Sequence, residues 1–354
     1  MLPLMTEVYG NASSIHQFGQ AARQKLDAAR KQVAELLNAE PQEIVFTSGG
    51  TEADNLAIFG VARGGHVVTT AFEHPAVLAA AAQLDHTLVP VDGRGMIDPG
   101  DVRAALRPNT KVISVMHANN EVGTIQPLEE IARIAAEAGV ALHSDGVQAA
   151  GKIPVSVRDL GVSLYSISGH KIGAPKGLGA LYVRKGTAVK AMMYGGRHER
   201  ERRAGTENVA GAVALGRAAE WIAENGDEEN RRQGVLRDRL EHSILERIPD
   251  TRVNGAGALR VANTTNIRFD GIDSDALLIA LDLKGFAVSS GAACSSGAPE
   301  PSHVLLAMGL SRLEARSSIR FSLGRSNTVE QVDALVEALV DSVTHLRKLA
   351  PSYA

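Results

Sequence analysis

The side chains in this sequence that could do chemistry fall into a few short clusters and one thiol. Ser168-Gly-His-Lys171 stands at the end of a predicted strand and is followed by the Gly/Pro-rich Ile-Gly-Ala-Pro-Lys-Gly. A lysine on such a tight turn can form a Schiff base with a carbonyl cofactor once burial or neighbouring charge lowers its ammonium pKa. Glu43-Ile-Val-Phe-Thr-Ser-Gly-Gly-Thr-Glu52 reads as strand, turn, helix. That geometry aims free backbone N–H groups and a positive dipole end at one point, where an anion such as a phosphate would sit on Gly50 and Thr51. Asp145-Gly-Val-Gln148 again follows a strand, and Asp145 could pair with a protonated ring nitrogen. His74, before Pro75, could stack on a ring and move protons. Each cluster also has an ordinary reading: a loop lysine, a helix cap, an Asp-Gly turn, a helix-start histidine. For His74 the two readings weigh evenly.

The elements that must position these groups alternate from about residue 20 to 225 between amphipathic helical windows and short β-branched runs, the pattern of parallel strands joined by helices. Strands are predicted at Glu43–Thr47, His66–Thr70, Thr87–Val91, Lys111–His117, Ala141–Asp145, Ser163–Ser168 and Gly179–Val183, with helices such as Glu52–Val61 and Leu128–Ala138 between them. Ligands in such sheets bind beyond the carboxyl ends of the strands, where the polar clusters fall. The charged segment Asn225–Arg239 is expected to open a long helix and to mark a domain switch. The expected organisation is a large domain over 1–225 and a smaller α+β domain over 226–354, the latter with strands near Asn263–Phe269 and Ser317–Leu323 and a closing helix Val329–Leu349. No internal repeat or low-complexity tract interrupts the chain.

Of the 354 residues, 44% are hydrophobic and 22% charged, which suits a chain with a sizeable core and argues against disorder. A net charge of −3 with scattered Lys and Arg offers no cationic field for nucleic acid. No stretch reaches the roughly 18 apolar residues of a membrane helix, so the sequence reads as cytoplasmic. The one cysteine, Cys294, excludes an intrachain disulfide and a Cys-rich metal site within the chain. It is either packing or chemistry.

Together the motifs resemble the fold-type I, class V pyridoxal-phosphate enzymes, and within them the cysteine desulfurases of the IscS/NifS type. The likeness is carried by Thr-Ser-Gly-Gly-Thr-Glu-Ala-Asp-Asn55, Glu73-His-Pro, Met116-His-Ala-Asn-Asn-Glu-Val-Gly123, Asp145-Gly-Val-Gln148, Ser168-Gly-His-Lys171, Arg203-Ala-Gly-Thr-Glu-Asn208, Ser289-Ser-Gly-Ala-Ala-Cys-Ser295 and Ser317-Ser-Ile-Arg-Phe-Ser-Leu-Gly-Arg325. It implies a large domain with a mostly parallel seven-stranded sheet, pyridoxal 5'-phosphate held by Lys171, and L-cysteine converted to L-alanine. Asp145 would bond the ring nitrogen, Gln148 the ring hydroxyl, and His74 would stack on the ring. Asn120 would lie beside cofactor and substrate carboxylate, and Arg320 would grip that carboxylate with its planar fork. Thr51, Ser168 and His170 would hold the phosphate, with Thr206 reaching in from a second subunit, which implies a homodimer.

Cys294 lies in a Ser/Gly-rich run through Pro301 whose small residues predict a mobile loop. The resemblance gives it the role of receiving sulfur as a persulfide and passing it to an acceptor protein such as an iron–sulfur scaffold. Rival readings keep the same lysine: selenocysteine lyase, cysteine-sulfinate desulfinase, a class V aminotransferase, or a non-catalytic cofactor-bound scaffold. The resemblance also implies an N-terminal strand with an Ala-Thr-Thr-Pro-like run, expected to be missing before Met1-Leu-Pro-Leu-Met-Thr6. Ser144 and Ala12 depart from the family's usual apolar residue and proline without removing a reactive group.

Overall fold

Seven short, apolar segments build the sheet that carries the clusters: β1 (Ile44–Thr47), β2 (His66–Thr70), β3 (His86–Val89), β4 (Thr110–Ser114), β5 (Ala141–Asp145), β6 (Leu164–Ser168) and β7 (Gly179–Val183). The structure is a computed structural model and describes residues 1–291 and 300–349. The helices of this part are α1 (Leu2–Thr6), α2 (Gln17–Leu36), α3 (Gly50–Ala62), α4 (Pro75–Ala81), α5 (Pro99–Ala104) and α6 (Leu128–Ala138), followed by α7 (Val209–Arg247). Every residue of β2, β6 and β7 is buried, as strands covered on both faces must be.

The strand order is β1-β7-β6-β5-β4-β2-β3. Neighbours from β3 to β6 run parallel, whereas β7 is antiparallel to both β1 and β6. Segment 169–178 between β6 and β7 is shorter than the dozen or more residues of a parallel crossover, so the chain turns straight back. β4 ends at Ser114, yet Val115 and His117 still donate to the carbonyls of His143 and Asp145 at 3.1 and 2.9 Å. The hydrogen-bonded ladder therefore runs as far as His117, the end expected from sequence.

The described residues divide into two units. The first comprises Met1–Val89, Asp98–Ala118 and Gln126–Gly226, and the second Pro90–Ile97, Asn119–Ile125 and the residues from Asp227 on. The division falls inside α7, which begins at Val209; the charged stretch 225–239 lies within the helix rather than at its start. No Pro stands between Val209 and Arg247, and the four glycines at 211, 216, 226 and 234 weaken a helix without stopping it.

The second unit contains β8 (Thr251–Val253), β9 (Thr264–Phe269), α8 (Ser274–Asp282), α9 (His303–Ala307), α10 (Arg312–Arg316), β10 (Ser318–Ser322) and α11 (Val329–Leu349). Its sheet is antiparallel in the order β10-β9-β8. Leu236, Leu240, Ile244 and Ile248 recur at helical spacing and share a core with Ile267, Phe269 and Leu339.

Candidate active site

Parallel β2, β5 and β6 end on one edge of the first unit's sheet, and β1 points the same way because β7 is antiparallel to it and to β6. The expected site residues of this unit follow those ends. Asp145 is the last residue of β5, Ser168 the last of β6, and a single 3₁₀ turn, Gly169–Lys171, places Lys171 immediately after it. His74 caps α4 beyond β2, and Gly50–Thr51 open α3 beyond β1.

The start of α3 is open. Its cap, Gly49, contributes no side chain, so the first N–H groups of α3 are not taken by a capping side chain. A Cβ on Gly50 would come within 2.8 Å of Val147 Cγ2 and 3.5 Å of Ser168 Cβ, so the helix start, the β5 turn and the end of β6 meet here. Ser168 Oγ lies 2.9 Å from His170 Nδ1, and burial, with the positive charges of Lys171 and Lys176 added, holds the His170 imidazole below its usual pKa.

Asp145 is 4% exposed and accepts the Val147 N–H at 2.9 Å. Burial pushes its carboxyl up to about 6, against the opposing pull of that hydrogen bond and of the Lys171 charge. One ligand atom each of Asp145, His74 and Asp54 lie within 4.8 Å of one another. The Ala76 N–H donates to His74 Nδ1 at 3.1 Å, so a neutral His74 ring carries its proton on Nε2. Gln148 accepts from Lys152 Nζ through its carbonyl, which leaves its amide N–H groups as donors. Gly146 serves packing as well as turning: a Cβ there would fall 2.0 Å from the Tyr165 ring, whose hydroxyl lies 2.8 Å from His117 Nδ1.

Thr206 is exposed and lines a cavity of about 240 Å³ with Thr47, Ser48, Gly179 and Arg203, none of which belongs to the Asp145 cluster. In the second unit, the Arg320 guanidinium on β10 donates to the Asn120 carbonyl at 3.1 Å. Arg320 Nε and Asn120 Oδ1 are buried and have no hydrogen-bond partner among the described residues. β10 also pairs with Ser289, where the cysteine-bearing run begins, through bonds of 2.6 and 3.2 Å. Cys294 lies outside the described residues.

Three buried groups had no role assigned from sequence. Glu73 is fully buried and accepts from the Met116 N–H at 2.7 Å and the Thr70 hydroxyl at 3.1 Å; burial raises its pKa well above the usual range. Asp54 is 1% exposed on α3, and His143 is fully buried on β5 with its imidazole pushed down to about 3 by burial. The available signal was composition. Asp54 interrupts a helix whose neighbours Ala53, Leu56, Ala57 and Ile58 are all apolar, and such an interruption marks a polar group inside the core.

The aminotransferase class-V family profile matches residues 1–335. A cysteine desulfurase IscS of Methanosarcina thermophila is 46% identical, the alignment covering 99% of this chain and 89% of that protein. A cysteine desulfurase of Gluconacetobacter diazotrophicus is 48% identical over 99% and 90%. Among solved structures, a NifS-like protein superposes with a TM-score of 0.90 at 34% identity, covering 97% of this chain and 94% of that one.

Proposed function

This chain belongs to the class-V aminotransferase family and is a cysteine desulfurase; from that premise we propose how its residues divide the work. Pyridoxal 5'-phosphate is the cofactor the family implies, and the residues fit it. An uncapped helix start at Gly50–Thr51 beside Ser168 and His170 suits a phosphate, and a buried carboxyl at Asp145 suits a protonated ring nitrogen. When bound, the cofactor supplies an electron sink for the amino acid's α-carbon.

Lys171 holds the cofactor and then removes the α-proton at Nζ. Asp145 keeps a proton on the ring nitrogen. His74, with Nδ1 engaged by Ala76, offers its Nε2 side to the ring. Gln148 donates to the ring oxygen, and Thr206 reaches the phosphate from a second subunit, which makes the working unit a homodimer. Arg320 and Asn120, each with a buried polar atom to spare, bind the substrate carboxylate. The Cys294 thiolate attacks the substrate sulfur. The C–S bond breaks, its electron pair stays with the carbon chain, the β-carbon takes a proton, Lys171 Nζ returns the α-proton, and alanine leaves while the S–S bond of a persulfide remains on Cys294. A sulfur-acceptor protein such as an iron–sulfur scaffold then takes the sulfur, in the cytoplasm.

The observation that carries this division is the convergence of Asp145, His74, Gly50, Ser168 and Lys171 at the strand ends of one sheet. Alanine formation from L-cysteine by the cofactor-loaded protein, with thiol present, tests it. Wild type forms alanine and Cys294→Ala does not; alanine from both would point to chemistry that does not use the cysteine.

A further inference from the structure

The floor of the site holds more carboxyl groups than the proposed chemistry uses. Asp54, one turn into α3, is 1% exposed, and its Oδ1 has no hydrogen-bond partner among the described residues. A carboxylate oxygen of Asp54 lies within 4.8 Å of one of Asp145 and of a ring nitrogen of His74. Oδ1 is 3.6 Å from His143 Nε2. That nitrogen is 2.9 Å from Ser166 Oγ, Ser166 is hydrogen-bonded to Asp54, and His143 Nδ1 is 2.8 Å from Ser114 Oγ.

A neutral His143 carries one N–H, so the chain of contacts runs one way in each tautomer. With the proton on Nδ1 facing Ser114, Nε2 accepts from Ser166, and Ser166 Oγ is then free to accept from an Asp54 hydroxyl. The groups facing Asp54 are Asp145 and His143 from β5, Ser166 from β6, and Glu73 and His74 from the turn after β2. None of these is a permanent cation.

Two carboxyls this close and this buried do not both ionise; one proton stays with the pair. The surroundings choose where. Asp145 accepts a backbone N–H at 2.9 Å and faces the Lys171 ammonium, and both favour its charged form. Asp54 has a single hydroxyl and a neutral imidazole, and burial with the Asp145 charge raises its carboxyl pKa well above the usual range.

We infer that Asp54 is a positioning residue that carries the proton of the Asp54–Asp145 pair and so leaves the pair's single negative charge on Asp145, beside the cofactor ring. The location of the proton is a property of the cofactor-free site; its use in the reaction rests on the proposed role of Asp145.

Infrared spectroscopy of the cofactor-free protein at neutral pH tests the first part. The band of protonated carboxylic acids should lose the intensity of one group in Asp54→Asn and keep that component in Glu73→Gln, which controls for the other buried acid. An unchanged band in Asp54→Asn would overturn the inference, because Asp54 would then be ionised. The second part is read after adding pyridoxal 5'-phosphate. Asp54→Asn, a neutral amide for a neutral acid, should keep the wild-type position of the bound-cofactor absorption band through neutral pH, whereas Asp145→Asn shifts it. A shift in Asp54→Asn as large as that in Asp145→Asn would place the charge on Asp54 and overturn it. If no protein gives a bound-cofactor band, the cofactor reading fails and the infrared result still decides where the proton sits.

Discussion

Charged groups are treated in opposite ways beneath the site of the first unit and on the helices of the second. Asp54, Glu73 and Asp145 are nearly or fully buried, and burial drives all three toward the neutral acid. On α7 and α11, Arg239–Asp333 and Arg247–Glu337 form two-pronged pairs at 2.5–2.8 Å with side chains 39–66% exposed. The first unit also holds a buried pair whose charges are matched: Arg30 and Glu199, 6% and 3% exposed, joined at 2.6 and 2.7 Å, with Glu199 also accepting the Phe46 N–H. Burial alone does not make a charge functional. Burial with a fixed cation makes a structural tie, and burial without one makes a group whose proton is negotiable.

That contrast can be broken most sharply at Lys171, whose positive charge favours the ionised form of Asp145. Lys171→Ala should lower alanine formation by on the order of 10³-fold or more, the upper range for one acid–base group, with the fold intact by circular dichroism. A fall of less than about tenfold would deny Lys171 its role.

Glu199→Gln should cost about 3–5 kcal/mol in the unfolding of the first unit, because it leaves Arg30 buried without its counter-ion. Denaturant titration followed by the fluorescence of Trp221, the chain's single tryptophan, reads this. The tie matters locally as well: Glu199, Arg200 and Glu201 all have left-handed φ, between 45° and 64°, so the pair anchors a strained turn just before Arg203–Asn208.

Asp145→Asn in the cofactor-free protein should act in the other direction. The folded-state pKa of Asp145 is raised from 3.8 to about 6, so its ionisation costs stability as pH rises through that window, and the cost is complete above it. Removing the charge should therefore stabilise the cofactor-free protein at neutral pH by on the order of 3 kcal/mol, a gain that fades as pH falls toward 4. A loss of stability at neutral pH would show that Asp145 is held charged by more than Lys171 and Val147. The smallest effect belongs to the exposed pairs: Arg239→Gln should leave the unfolding midpoint close to that of wild type, with the difference shrinking further at high salt, and leave the rate of alanine formation unaltered.

Periodicity sufficed where it reported burial on a regular element. Strands His66–Thr70, Ala141–Asp145 and Gly179–Val183 and helices Leu128–Ala138 and Val329–Leu349 were read with their observed bounds. It failed where distant segments decide. The strand direction of β7 depends on how short the β6–β7 connection is, and the start of α7 at Val209 precedes the charged stretch from Asn225 that marked the helix in the sequence. Segments 90–97 and 119–125 group with the C-terminal residues, and the Asn120 carbonyl accepts from Arg320. At the site, side chains next to strand ends were visible because their motifs punctuate the elements. Asp54 and His143 lie inside elements, and only packing shows that they meet.

The most direct test of the central claim, that sulfur leaves cysteine and comes to rest on Cys294, is the mass of the tryptic peptide 285–312 after the cofactor-loaded protein meets L-cysteine without added thiol. The account predicts a peptide heavier by one sulfur atom in wild type and an unchanged one in Lys171→Ala. Alanine produced while that peptide keeps its original mass would contradict it.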